Sequence, residues 1–209
     1  MSELKSRLLE RIPWLYHGFG TRSGPLDQTG MASLKQIHSS LVLVADRGEG
    51  GIGEGDALLA NEPGLTISVR TADCLPILLV DSIHKAVAAV HAGWRGTAGE
   101  IAGKTLRQMQ LNYGTHPENI LAAIGPGIGA CCYEVGEEVA RQFGQERAGR
   151  LDLALENVRQ LERFGVPAEQ MDCLSVCTFC NPGQFHSWRR DKNTSARMVS
   201  YVGILSAAP

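Results

Sequence analysis

The chain lacks a long apolar run. No stretch of its 209 residues approaches the roughly 20 that a helix needs to cross a bilayer, so a membrane is not an expected partner. It also lacks an excess of charge of one sign. Twenty Lys and Arg stand against 22 Asp and Glu, for a formal charge of −2. There is no dense basic block, and Arg189-Arg190 is a pair rather than a patch, so nucleic acid is not an expected partner either. Cysteine is sparse, at six residues, too few for a disulfide scaffold. The cysteines are therefore read as core residues, ligands or nucleophiles. The 24 glycines follow no Gly-X-Y period, which excludes collagen. Internal repeats, low-complexity stretches and linkers are absent. The opening stretch, Met1 to Arg11, is charged and carries no secretory apolar segment, so a cytoplasmic location is expected.

What is there suits one folded domain over residues 1–209. The hydrophobic fraction of 44% and charged fraction of 20% are ordinary for a soluble protein and argue against disorder. Short runs rich in Ile, Val and Leu predict buried strands at Leu41–Ala45, Leu65–Val69, Leu75–Asp81, Ala86–His91 and Asn119–Ile124. The three between Leu65 and His91 are too close for helical crossovers, so antiparallel pairing is expected among them, with a tight turn at Ser82-Ile83-His84. Gly48 to Gly55 reads as a surface loop. A helix is expected over Gly96–Tyr113, with Ile101, Ala102, Leu106, Met109 and Tyr113 on one face and Gly114 as its cap. A second is expected from Asp152 to Phe164, with Leu155, Val158 and Leu161 as its stripe, and a weaker third over Glu137–Gln145. Strands gathered before helices predict an α+β fold.

Three polar residues fall where apolar strands end: His38, Cys74 and His91. Two imidazoles and a thiolate suit Zn²⁺ or copper, and three protein ligands leave a position open for water or substrate. The bland alternative is two hydrogen-bonded histidines and a small core thiol. Arg70 and Asp73 share the segment of Cys74, and Arg95 opens the expected helix after His91. Backbone N–H groups from Gly93 to Thr97 with Arg95 would hold an anion such as phosphate; a surface Arg beside a Gly-rich turn is the alternative. Ile124-Gly125-Pro126-Gly127-Ile128-Gly129 is a strand entering a Gly-rich turn, with neither a GxGxxG pattern nor a P-loop Lys.

Cys173, Cys177 and Cys180 have the spacing C-x3-C-x2-C. Met171 to Thr178 alternates like a strand, however, which would set Cys173 and Cys177 about 13 Å apart and rule out a shared iron–sulfur cluster. Core thiols are the default there. His116-Pro117-Glu118 with Cys177–Cys180 departs too far from the H-x-E…P-C-x-x-C pattern to indicate a nucleobase deaminase fold. Asn181 to Arg190 mixes Phe185, His186, Trp188 and two Arg; it reads equally as a loop that stacks a base or sugar and as a partly buried hairpin.

Taken in order, five motifs resemble one family. They are Gln36-Ile37-His38; Gly55-Asp56-Ala57-Leu58 followed by Thr71-Ala72-Asp73-Cys74-Leu75-Pro76; Val90-His91-Ala92-Gly93-Trp94-Arg95-Gly96; Ile124-Gly125-Pro126 through Cys132-Tyr133-Glu134-Val135; and Phe185 to Arg197. The resemblance, over roughly residues 14 to 205, is to the laccase-domain family, whose members are also called multicopper polyphenol oxidases, peptidoglycan editing factors and purine nucleoside phosphorylases. It implies an α+β, four-layer α-β-β-α sandwich of mixed sheets, related to a bacterial toxin's cysteine-hydrolase-like domain. It also implies zinc on His38, Cys74 and His91, with copper as a substitute. The activity it implies is phosphorolysis of purine nucleosides, with a credited adenosine deamination. Small-molecule nucleoside and phosphate are then the partners. Arg70, Arg95 and Gln36 are the candidates for binding them, and Cys74, His38, His91 and Asp73 for catalysis, Asp73 as a proton shuttle. Two rivals are a hydrolase of cell-wall peptide precursors with Cys74 as nucleophile, and a copper oxidase of phenols, for which six histidines are few. A structural zinc domain, with Cys131 or Cys132 as fourth ligand, is the non-catalytic alternative. The stretch between Gly18-Phe19-Gly20-Thr21-Arg22 and Gln36 is shorter than is usual in the family. His186 stands where an aromatic is common, and Ser195 where Gly is.

Overall fold

Runs that are apolar at every position belong to strands buried on both faces, and two of them form the centre of this molecule. The structure is a computed structural model that describes residues 3–24, 29–46, 48, 50–192 and 195–206. The strands are β1 (Glu3–Leu4), β2 (Leu15–Gly20), β3 (Met31–Lys35), β4 (Val42–Val44), β5 (Gly50–Glu54), β6 (Ala57–Ala60) and β7 (Thr66–Thr71). They continue as β8 (Leu75–Asp81), β9 (Ala86–Ala92), β10 (Ile120–Ile124), β11 (Glu134–Val135), β12 (Gly149–Arg150), β13 (Met171–Cys173) and β14 (Met198–Ile204). The helices are α1 (Trp94–Ala98), α2 (Ile101–Tyr113), α3 (Glu137–Arg141), α4 (Leu153–Arg163) and α5 (Trp188–Asp191).

Two six-stranded mixed sheets face each other. One runs β1-β2-β14-β7-β3-β5 and the other β13-β10-β8-β9-β6-β4. Alternation along β8 explains why its sequence is apolar from Leu75 to Val80. Leu78 and Val80 join Phe19, Ile67 and Val202 between the sheets, while Leu75, Ile77 and Leu79 face Ile101, Leu106 and Met109 of α2. The fold is α+β, as expected. The helical layer lies on the second sheet, where α1 and α2 pack on β9 and α4 packs on them. Val202 and Ile204 point inward, so Tyr201 points outward. Tyr201 lies 6.2 Å from Tyr16 and covers that face of the first sheet. Among the described residues, no helix is long and apolar enough to cross a membrane.

Several expectations need correction. Strands β8 and β9 do pair antiparallel, from Leu75 opposite Ala92 to Asp81 opposite Ala86. Their turn is held by Asp81, whose carboxylate accepts from the N–H groups of Ile83 (2.9 Å) and His84 (3.0 Å). Strand β7, however, belongs to the other sheet, between β14 and β3. The chain switches sheets at Ala72–Cys74, where Asp73 takes φ 85°. The segment expected as a loop at 48–55, whose residue 49 lies outside the described residues, contains β5, an edge strand parallel to β3. The helix expected over Gly96–Tyr113 is two helices, broken where Glu100 enters the left-handed region at φ 58°. The α2 stripe is as expected, and Gly114 caps it at φ 70°. Helix α4 is capped by Asp152, which accepts from the Leu155 N–H at 3.0 Å. Its Leu155 is exposed, contrary to the expected stripe. Asn157 and Gln160 are buried instead and donate to the Thr97 hydroxyl and carbonyl, which fixes α1. The strand expected over Met171–Thr178 stops at Cys173, because Ser175 at φ 51° turns the chain. The segment from Asn181 to Arg190 is no hairpin. Phe185 is buried, and Trp188 opens the short α5.

Candidate metal centre and cavity

Asp56 organises the site. It is fully buried after β5, and its carboxylate accepts from the main-chain N–H groups of Ile37, His38 and Ser39 at 3.3, 3.0 and 2.6 Å. It also accepts from the Ser39 hydroxyl at 2.7 Å. These bonds hold the loop after β3, on which His38 takes φ 57°. The other oxygen-directed contact is to His91, whose Nδ1–H donates to Asp56 Oδ1 at 2.7 Å. That bond selects the tautomer and turns Nε2 toward the cavity, as a carboxylate–histidine–metal arrangement does. The Asp56 main-chain carbonyl accepts from His91 N at 2.7 Å, which locks the end of β9 to the same point. Sequence reasoning quoted Asp56 within a motif and gave it no role. Its signal was a carboxylate at the start of an otherwise apolar strand.

The donor atoms of His38, Cys74 and His91 lie within 4.8 Å of one another. The two rings meet edge to face with centroids 4.9 Å apart. Gly93 makes room for this convergence, since a Cβ there would stand 2.9 Å from Cys74 Sγ. His91 is buried, Cys74 is half-buried and His38 is exposed, so the group is open on one side. Two imidazole nitrogens, one sulfur and an open approach suit zinc as a three-ligand centre. Electrostatics agree. Burial would raise the Asp56 carboxyl, but the bonds from His91 and Ser39 bring it down to about 2. Burial would lower His91, yet Asp56 and Cys74 push it up to about 9. Burial would raise the Cys74 thiol, and the bonds and charge of His38 and His91 bring it down to about 6. With no ion bound, Cys74 and His91 are thus poised as a thiolate–imidazolium pair, and binding a cation would release the His91 Nε2 proton.

These groups open into a cavity of about 750 Å³, within the size range of small-molecule sites. Its wall carries the guanidinium groups of Arg70, Arg95, Arg189 and Arg197 and the rings of Trp94, Tyr133 and Trp188. Arg95 stacks on Trp94, 4.4 Å from its centroid, and Arg189 on Tyr133 at 5.3 Å. All the expected site residues, Gln36, His38, Arg70, Asp73, Cys74, His91 and Arg95, line this one cavity. Arg189, Arg197, Tyr133 and Trp94 were not assigned to it by sequence reasoning; Trp94 adjoins Arg95, Tyr133 follows the Gly-rich turn, and Arg189 and Arg197 belong to the C-terminal motif.

Three details differ from expectation. Gln36 spends its amide on the Arg70 main chain, donating to the carbonyl and accepting from the N–H, each at 2.8 Å. Asp73 is buried and accepts from the Thr178 hydroxyl (2.6 Å), the Ser187 hydroxyl (3.0 Å) and Arg189 N (2.6 Å). Helix α1 has only five residues and its Thr97 N–H already bonds Gly93, so an anion at Arg95 would rest on side-chain charge more than on a helix dipole. The Gly-rich turn after β10 borders the cavity through Ile128, but its Gly127 approaches protein. A Cβ at Gly127 would stand 2.4 Å from the Leu75 side chain.

The family model described as multi-copper polyphenol oxidoreductase laccase matches residues 21–205. The chain belongs to this family. Within this laccase family, a purine nucleoside phosphorylase of Deinococcus radiodurans is 43% identical over 184 residues, covering 83% of this chain and 70% of that protein. Another of that name from Bacteroides thetaiotaomicron is 39% identical over 163 residues, covering 71% of this chain. The chain spans 60% of the length of the Bacteroides protein. Among solved structures, Bacillus licheniformis hypothetical protein YfiH superposes with a TM-score of 0.87 at 28% identity, covering 97% of this chain and 96% of that one. YlmD from Geobacillus stearothermophilus gives 0.87 at 27% identity, with 93% of each chain covered. The laccase fold therefore extends over the described architecture, with both sheets included.

Proposed function

We propose that this chain is a metal-dependent purine nucleoside phosphorylase whose zinc is held by His38, Cys74 and His91. The observation that carries this reading is the meeting, in one cavity, of that trio with four guanidinium groups and three aromatic rings. The name purine nucleoside phosphorylase, borne by the relatives, supports the same substrate class. Copper is the substitute ion, since it binds such donors more tightly. When bound, the cation supplies a Lewis-acid centre at the wall of the cavity.

In phosphorolysis a phosphate oxygen bonds the ribose anomeric carbon as the glycosidic C–N bond breaks. The bonding pair leaves with the base, which takes up a proton, and ribose 1-phosphate remains. The phosphate needs fixed positive charge, and Arg70 and Arg95 supply it, with Arg189 and Arg197 in the same wall. The base needs flat apolar surfaces, which Trp188 and Tyr133 offer. Gln36 acts through Arg70, by fixing the peptide that carries it. Asp73, with three donors already on its carboxylate, anchors the loop that bears Trp188 and Arg189, and this replaces the proton-shuttle role first expected of it. Adenosine deamination, which exchanges the exocyclic amine for a water oxygen and releases ammonia, belongs to the proposal as a second activity.

A second reading is favoured by one arrangement. Cys74, His91 and Asp56 stand in the order nucleophile, base and orienting carboxylate, with the thiol brought down to about 6. A metal-free protein with that arrangement would be a cysteine hydrolase acting on cell-wall peptide precursors. The phenol-oxidase reading has less to stand on. His17, His84 and His116 pair with Ser6, Asp81 and Glu118, away from the cavity, which offers two imidazoles.

The test is a product assay on zinc-loaded protein with inosine and adenosine, with and without phosphate, beside Cys74→Ala. Free base with ribose 1-phosphate, formed only with phosphate and lost in the variant, supports phosphorolysis. Inosine from adenosine without phosphate supports deamination. Neither product from zinc-loaded protein overturns the nucleoside reading. Alkylation of Cys74 in metal-free protein, with hydrolysis of a cell-wall peptide, would then favour the hydrolase.

A further inference from the structure

Four of the six cysteines meet at a place away from the trio. Cys131 and Cys132 follow the Gly-rich turn after β10, and Cys177 and Cys180 follow β13. Their sulfur atoms all lie within 4.8 Å of one another. Cys132 Sγ is 3.3 Å from Cys180 Sγ, and Cys131 Sγ is 3.7 Å from it. Thiols are weak hydrogen-bonding groups with little mutual attraction. This cluster is not buried in a core either, since Cys131 and Cys180 are exposed. Packing therefore gives no reason for four thiols to converge at the surface.

A single tetrahedral cation does give one. Four thiolates about 2.3 Å from zinc stand about 3.8 Å from each other, close to the separations seen here. A multi-iron cluster would spread its ligands wider than a shared 4.8 Å limit. One member already has a donor that favours a thiolate: the Gly129 N–H donates to Cys177 Sγ at 3.3 Å. The two loops are already pinned to each other, with Gly127 and Cys177 forming a parallel bridge and Thr178 N donating to the Gly127 carbonyl at 2.9 Å. Cys173 is not a member. Its sulfur accepts from the Ser175 hydroxyl at 3.6 Å, so the C-x3-C-x2-C reading fails and the operative pair is Cys177-x2-Cys180.

We propose that Cys131, Cys132, Cys177 and Cys180 form a second metal site, a closed tetrathiolate site for zinc, separate from the trio and structural in role. Binding converts four thiols to thiolates and releases their protons, with no change of oxidation state. The site ties the loop that leads to Tyr133 to the loop that carries Thr178. Thr178 in turn holds Asp73, and its carbonyl, with that of Phe179, accepts from Arg190. One wall of the cavity is thereby braced from behind. The proposal does not depend on which reaction the cavity performs.

Metal analysis of the full chain, purified under reducing conditions with zinc supplied, tests it. Wild type is expected to hold two zinc ions. Cys74→Ala is expected to keep one, and the Cys132→Ser, Cys180→Ser double variant is expected to keep the other. Cobalt replacement adds an independent readout on wild type and on Cys74→Ala. Both should show the intense charge-transfer absorption of four thiolates, which decides the matter even if the double variant does not fold. One zinc in wild type that disappears entirely in Cys74→Ala overturns the proposal. So does a reduced-state preparation whose intact mass is lower by two hydrogens, which would make the close pair Cys132–Cys180 a disulfide. Absence of the four-thiolate cobalt spectrum overturns it equally.

Discussion

The two cysteine-containing clusters differ in what holds their donors in place. In the trio, every donor is positioned by protein before any ion arrives: His91 by Asp56, His38 by a loop bonded to Asp56, and Cys74 by the sheet switch beside Gly93. In the four-cysteine group only Cys177 has a main-chain donor on its sulfur, and two of the members are exposed. The first arrangement keeps its shape and an open side, which chemistry needs. In the second, the loops are joined by main-chain bonds but the side chains are not, so an ion held there would act as a fastener. The two groups thus differ in their surrounding hydrogen bonds as well as in ligand type and number.

Several measurements would break or sharpen this contrast. The largest effect is expected from Cys74→Ala, which should abolish phosphorolysis and remove one zinc while leaving the melting temperature nearly unchanged, read by product assay, metal analysis and calorimetry. A large loss of stability would instead make the trio the fastener. Next, Asp56→Asn removes the orienting charge. It should weaken zinc binding at the trio about 10- to 100-fold in a chelator competition, without touching the second ion. Arg95→Ala and Arg70→Ala should each raise the KM for phosphate about tenfold or more, from the loss of about 1.5–3 kcal/mol in charged hydrogen bonds. The KM for nucleoside should move less. Cys132→Ser with Cys180→Ser should lower the melting temperature by several degrees, at about 2–4 °C per kcal/mol for a chain of this size, with a smaller loss of kcat. The smallest effect concerns neither cluster. His17 is buried, and burial brings it down to about 4, while its Nε2 accepts from Ser6 N at 2.9 Å. A histidine kept neutral by the fold takes up its proton more readily when unfolded. Its share of stability should hold above about pH 6.5 and drain away as the pH falls toward 4, a loss that denaturation curves of His17→Gln should not show.

Cys74 and His91 were legible because they sit at the ends of strands whose interiors are apolar on both faces, β8 and β9, and His38 because it precedes the apolar run of β4. Strands β2, β3 and β14 were not, since residues such as Gly18, Ser33 and Ser200 interrupt their apolar pattern. The partners of β7 were misjudged because sequence proximity favours a hairpin, while a single left-handed residue, Asp73, sends the chain to the other sheet. The four-cysteine group was hidden by the same kind of event. Alternation from Met171 to Thr178 continues past the strand, and only the φ of 51° at Ser175 brings Cys177 round to meet Cys131. Asp56 went unassigned because one carboxylate serving five donors looks, in one dimension, like any Asp beside a Gly.

Asp73 and Cys74 share a peptide bond, and the Asp73 carboxylate is held by Thr178, Ser187 and Arg189. The neighbour of a metal-ligand candidate is thus riveted to the loop that presents Trp188. One carboxylate therefore sets both the backbone beside that sulfur and the loop that presents Trp188, so its removal would loosen the two together.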